Sequence, residues 1–284
     1  MTPLVTLAVL VAAVTHASWN AIAHHIKEQL LSFTLISGGG ALIGLATAVF
    51  VPLPAAGAWP YLIASAVLHI GYYALLMRSF TLGDFGQMYP IARGTAPLVV
   101  TVLAAVFLHE VPGGWQLLGV AVACAGLTGL ALWGIRGKGA ARPQWPALAA
   151  AGATGLSIAL YTVVDGVGVR ASGTPLGYIA WLMILQGLVI PAYALGKRRS
   201  ALVPQLRPYA ARGLLGGALS VSAYALVLWA QTKAPLAPIA ALRESSIIVG
   251  AAIGALFFKE RFGGPRIAAA GLMVLGIGLM LQAG

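Results

Sequence analysis

Long runs without a formal charge decide what this chain can be. Residues 1–26 hold no Lys, Arg, Asp or Glu, and neither do residues 29–77. Further uncharged runs cover 111–135, 143–164, 171–196, 213–232 and 267–284. Of the 284 residues only 8% are charged, while 60% are apolar. A soluble domain carries roughly a quarter charged residues, so this composition cannot supply a water-facing surface. A soluble enzyme, a nucleic-acid module and a disordered tail are excluded. The net charge of +11 is no nucleic-acid footprint, because the basic residues are scattered between apolar blocks. The solvent that remains is a lipid bilayer.

A span needs about 20 apolar residues to cross ~30 Å of hydrocarbon. The runs predict ten helices: 3–24, 32–51, 59–80, 86–108, 113–135, 145–168, 174–196, 209–232, 236–258 and 263–282. The fourth and ninth each carry one Arg inside an otherwise apolar stretch. A β-barrel would show short alternating segments instead. The first segment reads as a mature helix rather than a secretory signal, since no Lys or Arg precedes its long apolar block. Ten spans put both termini on one face. That face and its loops receive Arg170 and Lys233. The other receives Lys27, Arg78, Arg136, Lys138, Arg142, Lys197, Arg198, Arg199, Arg207, Arg212, Lys259, Arg261 and Arg266. Basic loops stay cytoplasmic, so both termini are expected outside a bacterial-type inner membrane.

Shifted by 150 residues, the chain matches itself. Arg93 falls on Arg243, Phe107 on Phe257, Glu110 on Glu260, Gly113-Gly114 on Gly263-Gly264, and Gly126 on Gly276. Two repeats of five helices follow, 1–138 and 139–284. An odd helix number inverts the second copy, the arrangement of many secondary transporters. The expected fold is therefore an all-α integral membrane protein of ten transmembrane helices in two inverted five-helix repeats.

Three strings then carry a resemblance: His16-Ala17-Ser18-Trp19-Asn20, Tyr89-Pro90-Ile91-Ala92-Arg93-Gly94 and Ala241-Leu242-Arg243-Glu244. With the repeat, and with a Glu closing the fourth and ninth spans, the chain resembles the ten-helix EamA-type exporters of the drug/metabolite transporter superfamily. Among them are the YddG-like aromatic amino-acid exporters. The resemblance implies a central cavity framed by helices 1, 3, 4, 6, 8 and 9. The four-helix multidrug branch couples to protons through a Glu in its first helix. Residues 1–27 here contain no acid, so that coupling does not carry over.

Charges inside spans face partners or water. On the expected topology Arg93 lies toward the cytoplasmic end of its helix and Arg243 toward the outer end. They read either as two mouths of one pathway attracting a carboxylate, or as structural ion pairs. Asp165 and Glu244 are candidate partners for Arg243 at an outer gate, with Asp165–Arg170 pairing as the plainer alternative. His16, Trp19 and Asn20 share one helix face at i, i+3 and i+4; they line a cavity or bond neighbouring helices. Tyr72, Tyr89, Tyr161 and Tyr224 are candidate cavity aromatics, and Tyr72 and Tyr224 occupy equivalent helices.

Glu110 and Glu260 read as complements to the dipole of the helix that follows each. Pro90 and Pro97, and Pro235 and Pro238, read as kinks beside the two arginines. Gly40/Gly44 and Gly250/Gly254 are at small-xxx-small spacing. Cys124 is the one cysteine, and no metal, cofactor or catalytic set is expected. The leading expectation is a monomeric alternating-access exporter of small metabolites, amino acids foremost. Export of other organic metabolites or drugs, a lipid-headgroup flippase, an intramembrane enzyme and a receptor scaffold are the alternatives.

Overall fold

The computed structural model describes residues 1–82, 93, 96–136, 145–257 and 264–282. Among these residues the regular structure is helical, with no strand. The helices are α1 (Pro3–His25), α2 (Gln29–Ala48), α3 (Trp59–Leu82), α4 (Ala96–Leu108), α5 (Gly114–Arg136), α6 (Trp145–Ala171), α7 (Pro175–Gly187), α8 (Val189–Arg198), α9 (Leu202–Leu206), α10 (Ala210–Gln231), α11 (Leu236–Arg243), α12 (Ser246–Phe257) and α13 (Gly264–Leu281). Pro3–Ala23, Gln29–Ala48, Ala56–Arg78 and Leu148–Ala171 are long and apolar enough to cross a bilayer, as is the composite stretch Pro175–Gln231. Ala96–Leu108, Gly114–Gly126 and Ile267–Met280 are shorter apolar helices. The fold is that of a multi-pass membrane protein.

Hydrocarbon offers no hydrogen bonds, so polar groups in such helices must be satisfied locally. The hydroxyls of Thr34, Ser37, Thr101 and Thr154 donate one turn back, to the carbonyls of Leu30, Phe33, Pro97 and Ala150 at 2.7, 2.6, 2.8 and 2.7 Å. Prolines that open helices cost nothing there, because the first N–H groups have no helical partner. Pro3 and Pro175 begin α1 and α7, Pro60 and Pro146 are second in α3 and α6, and Pro235 and Pro238 stand at the start of α11.

The expected seventh and ninth spans are each divided. Between α7 and α8 the break is at Leu188. Pro191 explains it, since it supplies no N–H for the carbonyl of Gly187 and its ring crowds that carbonyl. Between α11 and α12 no proline intervenes. There the chain tightens into i→i+3 bonds: the N–H groups of Glu244, Ser245, Ile247 and Ile248 donate to Ala241, Leu242, Glu244 and Ser245 at 3.1, 3.1, 2.9 and 3.0 Å. The expected kink at Pro235 and Pro238 lies instead at Glu244–Ser245, because those prolines sit where a helix tolerates them.

The chain forms two compact units. The first comprises Met1–Leu10, Gly71–Val163 and Lys233–Gly284, and the second Val11–Ile70 and Val164–Thr232. Each draws from both sequence halves. In the first unit α5 packs on α13 through glycines. A Cβ on Gly119 would lie 2.5 Å from the carbonyl oxygen of Gly276, and one on Gly126 would lie 2.9 Å from that of Ala269. At the 150-residue offset Gly119 corresponds to Ala269 and Gly126 to Gly276. The two contacts are thus each other's images, and the partner index falls as the first index rises. Equivalent helices run antiparallel, which is what an inverted repeat requires.

In the second unit α2 packs on α7 and α10 in the same manner. A Cβ on Gly44 would approach the carbonyl oxygen of Ala180 to 2.7 Å, and one on Gly187 that of Ser37 to 2.6 Å. Without a hydrophobic drive between helices in lipid, such backbone approach supplies the packing. Gly250 differs: no described atom lies within 4 Å of its Cβ position.

Candidate functional site

The first unit holds a buried ion pair built from both repeats. Arg93 Nε donates to Glu244 Oε2 at 2.8 Å, and both side chains are 2% exposed. One residue back, Arg243 donates through Nη2 to the Tyr161 hydroxyl at 3.2 Å. Its Nε is buried with no hydrogen-bond partner among the described residues, as are the hydroxyls of Ser245 and Ser246. Tyr161 stacks edge-on against Tyr72 at 5.5 Å between centroids, and Tyr72 lies 5.2 Å from Tyr73. Cation, carboxylate and aromatic faces converge around the tightened turn between α11 and α12.

Of the two readings of the arginines, this geometry supports the structural ion pair for Arg93. Arg93 bonds the residue next to Arg243. The carboxylate expected for Arg243 is also reassigned. Glu244 pairs with Arg93, while Arg243 reaches a phenol. The repeat explains the asymmetry: the position equivalent to Glu244 is Gly94, which has no carboxylate to offer Arg243.

Glu110 caps a helix distant in sequence. Its Oε2 accepts from the backbone N–H of Leu236, the first residue of α11, at 2.8 Å. The chain delivers it there by ending α4 on His109 at φ 56°, with the Glu110 N–H returning to the Ala104 carbonyl at 3.1 Å. Glycine usually takes that left-handed position. Glu260 and Tyr89 lie outside the described residues, as does Pro90.

The second unit holds a separate buried cluster. Asp165 on α6, fully buried, accepts from the Tyr178 hydroxyl at 2.8 Å and from the Tyr224 hydroxyl through its other oxygen. His69 on α3 stands edge-on to Tyr224, 5.3 Å between ring centroids, and its Nδ1 lies 3.1 Å from the Ser65 hydroxyl. Arg170 donates through Nε to the carbonyl of Gln231 at 2.7 Å. Ser65, His69 and Tyr178 belong to this cluster although nothing about them stood out in the sequence. A Ser and a His four apart in an uncharged stretch of the helix were the one available signal.

On α1, Trp19 Nε1 donates to His16 Nδ1 at 3.2 Å, and Asn20 Nδ2 donates to the His16 carbonyl at 2.9 Å. The three residues bond among themselves, leaving Asn20 Oδ1 buried with no partner among the described residues. Glu28, at the start of α2, forms an ion pair with Arg198 at the end of α8.

Comparison with known proteins adds three findings. The pattern of the EamA-like transporter family matches residues 4–132 and again 145–282. A solved crystal structure is similar over 100% of this chain and 98% of its own, with a TM-score of 0.73 and 16% identity, which speaks to the fold alone. Comparison with curated proteins finds no match. Two family repeats and an all-helical membrane fold lead to one conclusion: the chain belongs to the EamA-like transporter family, within the drug/metabolite transporter superfamily, whose members move small solutes across membranes.

Proposed function

We propose that the protein exports small metabolites, amino acids foremost, by alternating access. The observation that carries this reading is the Arg243 guanidinium, 4% exposed, held by one phenol with a buried N–H left over. An unsatisfied buried donor costs about 1–3 kcal/mol, which a substrate carboxylate in this position removes. Planar Arg–carboxylate recognition is also directional. Tyr161, Tyr72 and Tyr73 supply an aromatic surface beside it, suited to an apolar or aromatic side chain. The inverted repeat gives inward-open and outward-open states of similar energy, and one chain carrying both repeats acts as a monomer. The excess of Lys and Arg in one set of loops supports an inner-membrane location with both termini outside.

Proteoliposomes loaded with labelled neutral amino acids test the reading. Flux above that of empty liposomes is expected, and Arg243→Ala lowers it by about tenfold or more, equivalent to the loss of one charged contact. Tyr72→Ala weakens aromatic substrates more than small ones. Absence of flux across the whole amino-acid panel rejects amino-acid export.

A further inference from the structure

The Asp165 cluster is buried, titratable and unused by the carboxylate-binding reading. We propose that Asp165, with Tyr178, Tyr224 and His69, is a proton-binding site whose loading is coupled to solute movement. The coupling rests on the transport reading above; the proton site does not.

The site is built rather than incidental. Asp165 is fully buried, and so is Tyr178. Gly168 makes room for the phenol one turn along α6: a Cβ there would lie 2.7 Å from Tyr178 Cζ. An apolar wall closes round it, comprising Leu62, Ala66, Val169, Leu182 and Leu228. Carboxylates inside a span are costly and are found where charge or protons move. Among the described side chains, the other titratable groups on the helices of this unit are His16 and His25 on α1, Tyr61 on α3, Arg170 on α6, Tyr193, Lys197 and Arg198 on α8, and Arg212 on α10; α2 brings none.

The chemistry of one proton is explicit. Ionised Asp165 accepts from both phenols. When a proton taken from water forms an O–H bond on one carboxyl oxygen, that oxygen becomes a donor, and the phenol facing it must turn its own O–H away. For Tyr224 the neighbouring ring is that of His69, edge-on at 5.3 Å. Loading therefore rewires bonds that tie α6 to α7 and α10, and releasing the proton to water restores them. A local bonding switch of this kind biases one conformation over another. Run with export, it carries one proton inward as solute leaves.

Two measurements on the purified full-length protein test this. Infrared difference spectra across pH steps, without substrate, are expected to show a carboxylic-acid carbonyl band that is missing in Asp165→Asn. Its midpoint moves in Tyr178→Phe and Tyr224→Phe, which keep the fold should the Asn variant lose it. A spectrum with no band removed by Asp165→Asn, and no midpoint moved by the Phe variants, overturns the site.

In proteoliposomes with a trapped pH dye and labelled neutral amino acids, an imposed pH gradient is expected to drive accumulation. Asp165→Asn lowers the ratio of gradient-driven to downhill flux about tenfold. Amino-acid flux that neither moves protons nor responds to the gradient overturns the coupling and leaves transport standing. A titrating Asp165 with no amino-acid flux supports the site and rejects amino-acid export.

Discussion

Arg93 and Glu244 bind each other where neither has water to fall back on. Removing one partner of a buried pair strands the other and costs about 3–5 kcal/mol, whereas replacing both with apolar groups costs far less. Arg93→Ala and Glu244→Ala are each expected to lower the unfolding temperature in detergent by several degrees. The swapped double variant Arg93→Glu/Glu244→Arg should regain part of the loss. A double variant whose loss equals the sum of the two single losses would show that the bond at 2.8 Å contributes nothing. Glu110 makes a smaller, separable contribution. Removing its cap on α11 costs about 1 kcal/mol, so Glu110→Gln, which keeps an acceptor, should sit between wild type and Glu110→Ala in thermal stability.

At the level of elements, breaks and contacts matter more than helical propensity. The two repeats meet in α5 and α13 at Gly119 and Gly276, where a carbonyl oxygen occupies the place of a side chain. Gly119→Val should force the helices apart and destabilise the protein by about 1–3 kcal/mol, the range for overpacking. Gly250→Ala, with open space among the described residues, should be near neutral. A thermal shift series on the two variants separates packing glycines from idle ones. The turn at Leu188 has a sequence cause in Pro191, so Pro191→Ala is expected to restore the missing N–H and raise hydrogen-exchange protection near Gly187. The turn at Glu244–Ser245 has no such cause. It arises where buried phenolic and ionic contacts fix the Arg243 and Glu244 side chains.

For the whole molecule, the charge bias makes a prediction that one miscounted helix would reverse. Cys124 is the single cysteine and is buried, so an impermeant maleimide should ignore the parent protein in intact cells. A cysteine appended to the C-terminus is expected to be labelled from outside, and one replacing Ser200, among Lys197, Arg198 and Arg199, only after the membrane is opened. The reverse pattern rejects the orientation.

The sequence by itself determined the solvent, the helical class and the inverted repeat. Each is a property of composition or spacing: uncharged runs of span length admit few folds in hydrocarbon, and a charge is conspicuous where charges are scarce. The same scarcity put Arg93, Arg243, Asp165 and Glu244 among the candidates. Only the tertiary structure decided who meets whom. It joined Arg93 to Glu244 across 151 positions, turned Glu110 toward a distant helix, and gathered Ser65, His69 and Tyr178 about Asp165. Depth along a span can be read from residue number, but rotation about a helix axis and the choice of neighbouring helix cannot. Those depend on which glycines let which backbones approach, a property of pairs of surfaces that exists only once the chain has folded.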